Sequence, residues 1–286
     1  MNKIIIIPNL NKDKELEVTR RAVKKLISLG FEVYVSSKYD SLEKIGATVY
    51  GEEPPAKAKL ILVVGGDGSI IDASLLAIKL NIPLLGINLG KVGYLSEVEP
   101  DNLDVLERLV GDDYSIEKKM LLKVEKYSPE GEVKASAREA VNDVVISHDV
   151  YFGIADFKLE NAYGDRITYR ADGLILSTPA GSTAYSLSAG GPVVSHNLDS
   201  ITVIPVCPHS FFNRAIIYDK NECIKISNSG DAVLNISVDG RFFDNLTKGE
   251  WCVVQKSKTC LKMITFSQNN MFSVLFKKIK DINGYA

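Results

Sequence analysis

One carboxylate stands among glycines directly after an apolar run. Asp67 lies within Gly65-Gly66-Asp67-Gly68, and residues 60–64 before it are all aliphatic. Glycine has no Cβ, so the backbone of this turn can approach a ligand closely and adopt a positive φ without strain. Because strand-to-helix turns direct free N–H groups at bound anions, the pattern predicts contact with an anionic ligand. A tight turn without function uses the same residue types and is the alternative.

A second candidate region is rich in hydroxyl groups. Six serine and threonine side chains lie between residues 177 and 188, in a stretch bounded by glycines and prolines. Hydroxyl and N–H donors in a loop at the start of a helix suit a ribose or a phosphate. Leu174–Leu176, Tyr185 and Leu187 supply apolar anchors that flexible linkers usually lack, which disfavours a linker.

Two polar residues, Asn142 and Asp143, interrupt an otherwise apolar run. Buried polar groups need hydrogen-bond partners, so this pair would be left unsatisfied unless it lines a cavity and binds a ligand. An Asn-Asp turn between two short strands is the alternative, because both residues favour turns. The pattern itself leaves both interpretations open.

The glycine-rich segment from Asn88 to Leu95 follows a predicted strand that ends at Ile87. Because the carboxyl ends of parallel strands meet at one edge of a sheet, we expect this segment beside Asp67. Within it, the aromatic face of Tyr94 could stack on a base, and a core position for the same side chain is the alternative. A glycine-rich connector without function fits the segment equally well.

Residue spacing excludes several common sites. The nearest approach to a Walker phosphate loop, residues 86–92, is one residue short and lacks the hydroxyl, and the dinucleotide fingerprint of spaced glycines is absent after the first strand. The four cysteines show no C-x-x-C spacing, and His148, His196 and His209 show no metal-site spacing. We therefore predict that protein side chains hold no metal.

Composition and charge limit the partners. A formal net charge of -2 and a pI near 6.0 give no electrostatic footprint for nucleic acid or an anionic membrane. No apolar run approaches the length needed to cross a bilayer, and the amino terminus lacks a signal-peptide core. The cysteine usage suits a reducing compartment, so we expect a cytoplasmic protein with small soluble ligands.

The elements that must position these residues follow from periodicity. Aliphatic and amphipathic runs alternate at residues 4–7, 14–29, 31–35, 60–64, 70–78 and 83–87. This rhythm predicts an N-terminal doubly wound parallel-sheet (Rossmann-like) α/β domain over residues 1–112, with an exposed loop at 46–59. Short β runs from residue 113 to 268 predict a C-terminal, largely antiparallel β-rich domain. A helix over residues 270–280 is expected to dock back on the first domain.

Taken together, these motifs resemble the bacterial NAD kinases over nearly the whole chain. Gly-Gly-Asp-Gly alone is weak evidence, since similar turns occur in phosphofructokinases and in diacylglycerol and sphingosine kinases. The block from Asp172 to Pro192 is the specific part of the resemblance. The segment that contains Pro208 and His209 adds to it.

The resemblance implies transfer of the γ-phosphoryl group of ATP to the 2′-hydroxyl of the adenosine ribose of NAD, with Asp67 as the proton acceptor. It also implies Mg²⁺ carried with ATP, polyphosphate as a possible donor, and a homo-oligomer of two or four copies. The NAD-binding residues by the same resemblance are Asp67, Gly68, Asn142, Asp143, Arg170, Asp172, Thr183, Ala184, Tyr185, Ser186, Leu187, Ser188 and Arg241. Asn88, Tyr94 and His209 are further candidates, although a lone histidine in a proline-rich turn is usually structural.

The chain departs from the family pattern at three positions. Asp143 stands where Glu is more frequent, Arg241 where Gln is common, and Ser69 where Thr is frequent. Asp143 loses one methylene of reach, and Arg241 cannot accept a hydrogen bond. The Asp239-Gly240 pair before Arg241 favours a hairpin turn. Two other functions stay open: phosphoryl transfer to a lipid or sugar phosphate, and a non-catalytic NAD or NADP sensor.

Overall fold

The computed structural model describes residues 2–90, 93–148, 154–209, 211–266 and 275–276, which form two compact units. The first unit contains the described residues up to Lys118 and those from Leu261 onward, and the second spans Lys119–Cys260. Sequence patterning places the boundaries at residues 112 and 268. The helix predicted over 270–280 lies outside the described residues, apart from positions 275 and 276.

A parallel sheet forms the first unit, because its central strands are aliphatic runs buried on both faces. Its strands are β1 (Lys3–Pro8), β2 (Glu32–Ser36), β3 (Thr48–Tyr50), β4 (Leu60–Gly65) and β5 (Leu84–Asn88). They pair in parallel in the order β5-β4-β1-β2-β3. The predicted N-terminal parallel-sheet fold class is confirmed, although β3 lies inside the stretch predicted as an exposed loop.

β4 and β5 end side by side. In their register, Val64 lies opposite Ile87 and Gly65 lies opposite Asn88. The Leu89 amide donates to the Gly65 carbonyl over 2.7 Å, just beyond the paired strands. The loops that follow these two strands therefore leave the same edge of the sheet, as the sequence predicts.

Two α-helices accompany this sheet, α1 (Glu17–Ser28) and α2 (Asp67–Leu80). α1 begins three residues later than its apolar pattern predicts, because Leu16 has a φ of 57° and interrupts the helical path. α2 begins at Asp67 itself, immediately after the extended Gly66. A 3₁₀ helix spans Leu103–Leu109.

Two antiparallel sheets form most of the second unit. The remaining strands of the chain are β6 (Ser115–Tyr127), β7 (Val133–Ala140), β8 (Asp143–His148), β9 (Ala155–Glu160), β10 (Arg166–Ala171), β11 (Gly173–Ser177), β12 (Ser200–Val206), β13 (Ile216–Asp219), β14 (Cys223–Asn228), β15 (Leu234–Val238), β16 (Arg241–Leu246) and β17 (Trp251–Thr265). One sheet contains the run β10-β9-β14-β17, with β6 paired to β17 and β7 paired to β6, and the other has the order β13-β12-β11-β8-β15-β16. The predicted antiparallel, β-rich fold class is confirmed.

Both of these sheets contribute to one apolar core. Phe157 of β9 and Ile146 of β8 are fully buried within it. The opposite face of β8 and β11 is buried too, since Val145 and Ile175 pack beside the partly buried Ala189. Burial on both faces explains why β8 and β11 are continuous apolar runs rather than alternating ones.

Three elements differ from the sequence-based assignment. Residues 174–176, interpreted as anchors of a loop, lie in β11, and residues 241–246 form the unpredicted β16. Where the pattern predicts short β runs, residues Trp251–Thr265 form one long continuous strand, β17. The exposed Lys258 and Thr259 interrupt its apolar pattern although the backbone stays extended. β6 and β17 both cross the unit boundaries, so turn residues do not mark those boundaries.

Candidate functional site

The carboxylate of Asp67 is fixed by two backbone amides. The Tyr94 amide donates to Oδ2 over 2.9 Å, and the Leu95 amide donates to Oδ1 over 3.1 Å. Each carboxylate oxygen has two acceptor positions, so both oxygens keep capacity for a further donor such as a hydroxyl group.

The glycines around Asp67 serve close packing on one side and leave open space on the other. A Cβ at Gly93 would collide with the Ser96 hydroxyl and lie 3.0 Å from Oδ1 of Asp67. A Cβ at Gly65 would collide with the Ser69 hydroxyl in the same way. At Gly68, by contrast, a Cβ would meet nothing within 4 Å. A ligand could therefore approach the first turn of α2 beside Gly68.

Lys12 brings a positive charge to these glycine loops. A side chain at Gly66 would collide with its ammonium group, and its Nζ lies 3.5 Å from the position that a Cβ would take at Gly90. The Asn9 carbonyl holds the loop by accepting the Lys12 amide over 3.0 Å. Within the described parts of the chain, the ammonium group makes no ion pair. The N-terminus of a helix carries a partial positive charge, so a second positive charge beside it is unfavourable. An anion bound here would be stabilised by the Lys12 ammonium group and by the N-terminus of α2.

Asn88 and Tyr94 are predicted to contact a ligand, and both also have a structural environment within the protein. Oδ1 of the buried Asn88 accepts the Gly90 amide over 2.9 Å and shapes the turn after β5. Tyr94 is partly buried, and its burial, with a smaller contribution from the charge of Asp67, raises the pKa of its hydroxyl group. The phenol is therefore neutral at physiological pH. Stacking of Tyr94 on a base stays a prediction.

Asp143 is a buried carboxyl group at the start of β8. Only 5% of the surface of Asp143 is exposed to solvent. Burial, and to a smaller extent the nearby Asp239 carboxylate, raise the pKa of Asp143 from 3.8 to about 7. No hydrogen bond reaches this carboxyl group from any residue that the structure describes. Buried polar groups are almost always hydrogen-bonded, so this one favours a ligand that supplies the missing partner.

The turn after β11 packs directly on the backbone of Asn142. The Thr178 amide donates to the Asn142 carbonyl over 2.9 Å, and the Thr178 hydroxyl donates to the Val141 carbonyl over 2.7 Å. A Cβ at Gly181 would collide with the Asn142 backbone. Asn142 and the block from Asp172 to Pro192 are therefore parts of one local structure, and Gly181 is required for their contact.

Several hydroxyl groups of this block face inward. Ser177, Thr178 and Ser182 are fully buried and donate to backbone carbonyls. This corrects the expectation that all six hydroxyl groups are presented to a ligand. Ser186 is also buried, and its hydroxyl has no hydrogen-bond partner among the residues that the structure describes. The candidates that the structure leaves partly or largely exposed are Thr183, Ala184, Tyr185, Leu187 and Ser188.

The structure separates the predicted NAD-binding residues of the second unit into two groups. Asp143 lies opposite Ser177 at one end of β11, beside the β15–β16 turn that leads to Arg241. At the other end, the Asp172 amide donates to the Val206 carbonyl over 3.0 Å, and the His209 amide donates to the Arg170 carbonyl over 2.7 Å. Arg170, Asp172, His209 and Arg241 are all exposed.

Metal and membrane features can be stated for the described residues only. In the part of the chain that the structure describes, no group of three or more His, Cys, Asp or Glu side chains could hold a metal ion. No helix in those same residues has the length and apolarity that a membrane crossing requires.

Comparison with known proteins identifies the family. Residues 4–114 match the model of the ATP-NAD kinase N-terminal domain, and residues 141–266 match that of the C-terminal domain. The chain belongs to the ATP-NAD kinase family. It is 34% identical over 288 residues to the NAD kinase of Thermoanaerobacter sp. (strain X514), covering 98% of this chain and 100% of that protein. It is 37% identical over 245 residues to the NAD kinase of Caldicellulosiruptor saccharolyticus, covering 84% and 90% of the two chains.

Solved structures of kinases share the fold. A yeast NADH kinase complexed with NADH has a TM-score of 0.82 at 20% identity and covers 100% of this chain and 88% of its own. An NAD kinase from Archaeoglobus fulgidus in complex with ATP has a TM-score of 0.70 at 25% identity, with coverages of 97% and 98%. The predicted family and fold class are therefore confirmed.

The sequence motifs do not indicate a role for two charged residues, Lys12 and Asp239. Lys12 belongs to no recognisable spacing, and only the fold brings it to the glycine loops. Asp239 is predicted only as part of a hairpin turn, whereas its carboxylate accepts three backbone amides. The sequence contains one indication of this role: position 239 holds Asp, although Asn or Gly would make the same turn.

Proposed function

We propose that the protein is an NAD kinase, which transfers the γ-phosphoryl group of ATP to the 2′-hydroxyl of the adenosine ribose of NAD. Membership of the family and the names of its relatives support this reaction. The observation that carries the proposal in this chain is the Asp67 carboxylate, fixed by two amides and still able to accept a hydroxyl proton.

Asp67 is proposed as the proton acceptor. A ribose hydroxyl is a poor nucleophile at neutral pH, and a carboxylate within hydrogen-bond reach can orient it and take its proton as the bond to phosphorus forms. Phosphoryl transfer proceeds through a loose transition state, so positioning of the hydroxyl group and stabilisation of phosphate charge supply most of the acceleration.

The second unit is proposed to hold the adenosine part of NAD. The buried carboxyl group of Asp143 lacks a partner among the described residues and can bond a ribose hydroxyl or an adenine amine. Asn142 presents its side chain from a backbone that Thr178 holds in place. The partly or largely exposed residues Thr183, Ala184, Tyr185, Leu187 and Ser188, which follow the same end of β11, complete this proposal. Arg170, Asp172 and Arg241 stay candidates from the resemblance.

The phosphate donor is proposed to be ATP bound with a divalent cation, Mg²⁺ being the expected ion. Mg²⁺ usually keeps several waters and binds through one or two carboxylates plus substrate phosphates rather than in an all-protein cage. Such an ion would neutralise charge on the transferring phosphoryl group. A homo-oligomer is proposed from the resemblance, and a cytoplasmic location from the cysteine usage.

Incubation of the purified protein with NAD, ATP and Mg²⁺ tests the proposal. We expect NADP to accumulate, measured with an NADP-specific dehydrogenase, together with one ADP for each NADP. Parallel reactions with NADH, a diacylglycerol and a sugar phosphate test the alternative acceptors. ATP consumption with one of the last two and none with NAD would reject the function. Dinucleotide binding without ATP consumption would favour a sensor instead.

A further inference from the structure

The turn between β15 and β16 has an aspartate, Asp239, as its first residue. Asp239 has a φ of 50° and Gly240 a φ of 74°, and the two residues connect adjacent antiparallel strands. A two-residue hairpin with both φ values positive is a type I′ turn, for which Asn-Gly serves as well as Asp-Gly. Turn geometry alone therefore does not explain a carboxylate at position 239.

The carboxylate is used in contacts outside the turn. Oδ2 of Asp239 accepts the Val141 amide over 2.8 Å, while Oδ1 accepts the Asn142 amide over 2.7 Å and the Asp143 amide over 3.2 Å. In return, the Asp239 amide donates to the Asp143 carbonyl over 3.0 Å. A carboxylate accepts with both oxygens, whereas an asparagine amide would turn its NH₂ group toward at least one of these N–H donors.

These contacts hold the backbone from which two proposed ligand-binding side chains project. From another direction, Thr178 bonds the carbonyl groups of Val141 and Asn142. The peptide groups of residues 141–143 are thus fixed by side-chain and backbone partners on both sides. The carboxyl group of Asp143 remains without a partner among the described residues.

We propose that Asp239 is a positioning residue of the dinucleotide site, whose carboxylate fixes the backbone of residues 141–143 so that Asn142 and Asp143 are preorganised for NAD. The proposal rests on the proposed function, in which these two residues bind the adenosine part of NAD. Asp239 itself need not contact the ligand. Preorganisation of this kind raises affinity because less conformational freedom is lost when the ligand binds.

The variant Asp239→Asn separates the two roles of the residue. Asparagine suits a type I′ turn, so a turn role predicts unchanged ligand binding. The positioning role predicts that Kd and KM for NAD rise at least tenfold, which corresponds to about 1.4 kcal/mol. The kcat at saturating NAD should stay within about threefold of the unaltered protein, and KM for ATP should not change. Asp219→Asn is the matched control, because Asp219 is an exposed turn carboxylate of the same unit.

Calorimetric titration with NAD and steady-state kinetics measure these values, and Asn142→Ala is run beside them. Loss of NAD affinity in Asn142→Ala with unchanged affinity in a folded Asp239→Asn variant would overturn the positioning role alone. Failure of the unaltered protein to bind NAD would overturn the proposed function and the positioning role together. If Asp239→Asn does not fold, amide exchange in the unaltered protein decides the point. Slow exchange at residues 141–143 is expected, and fast exchange would overturn the proposal.

Discussion

The buried carboxyl group of Asp143 should make the stability of the second unit depend on pH. Burial, with the nearby Asp239 carboxylate, raises the pKa of Asp143 from 3.8 to about 7. Well below pH 3.8 the group is protonated in both the folded and the unfolded chain and adds nothing to the pH dependence of stability. Between pH 4 and 7 the unfolded chain ionises while the folded chain retains its proton. The contribution of Asp143 to stability therefore falls as pH rises through this window, and it is constant above it.

The magnitude follows from the two pKa values. A tenfold change in proton affinity corresponds to ~1.36 kcal/mol, so a rise from 3.8 to about 7 amounts to about 4 kcal/mol at pH 8. Asp143→Asn has the shape of the protonated acid and cannot ionise. Its free energy of unfolding should exceed that of the unaltered protein by up to this amount at pH 8, and the difference should vanish near pH 4. With ~2–4 °C per kcal/mol, the Tm difference at pH 8 is on the order of 10 °C.

Thermal unfolding followed by circular dichroism from pH 4.5 to 8.5 measures this difference. Asp156→Asn is the control, since Asp156 is an exposed carboxylate on β9 of the same unit, and its Tm should follow that of the unaltered protein throughout. The same titration with NAD present should reduce the pH dependence, because a ligand would supply the missing partner. A gap between Asp143→Asn and the unaltered protein that is equal at pH 5 and pH 8 would refute a buried, protonated Asp143.

Two further substitutions test the remaining parts of the site. Lys12→Ala should raise KM for ATP about tenfold and leave KM for NAD nearly unchanged, because it removes a cation from the glycine loops. Steady-state kinetics with each substrate varied measure both values, and a change in KM for NAD alone would contradict the prediction. Gly181→Ala should destabilise the fold by ~1–3 kcal/mol and weaken NAD binding, because its Cβ collides with the Asn142 backbone. Urea unfolding and NAD titration measure both effects, and unaltered values in each would show that the contact is dispensable.

Much of the fold could be predicted because its central strands have an unambiguous pattern. β1, β4 and β5 are aliphatic runs that end at turn residues, and the βα alternation around them fixes a parallel sheet. Placing Asp67 beside the segment after Asn88 required only the rule that parallel strands share a carboxyl edge. The periodicity failed where burial does not alternate, as at β11, and where exposed residues interrupt a long strand, as in β17.

The candidate site was less accessible to sequence reasoning. Residue types indicated where Asp67 and Asn142 lie, but not which hydroxyl groups are consumed by the backbone. Ser182 is fully buried and bonded to main-chain carbonyls, which no spacing rule distinguishes from an exposed hydroxyl. The roles of Lys12 and Asp239 depend on contacts between segments that are distant in the chain. Such contacts become visible only once the strands are paired.

The central assignment is that Asp67 accepts the proton of the ribose hydroxyl. A single turnover of Asp67→Asn with saturating NAD, ATP and Mg²⁺ tests it most directly, with NADP formation followed in time. Because the substitution removes an acceptor for the Tyr94 or Leu95 amide, its Tm and NAD affinity are measured in parallel. Asp72→Asn, an exposed position on the same helix, is the control. We expect the rate in Asp67→Asn to fall ~10²–10⁴-fold with Kd for NAD within a few-fold, and NADP formation at the unaltered rate would contradict the assignment.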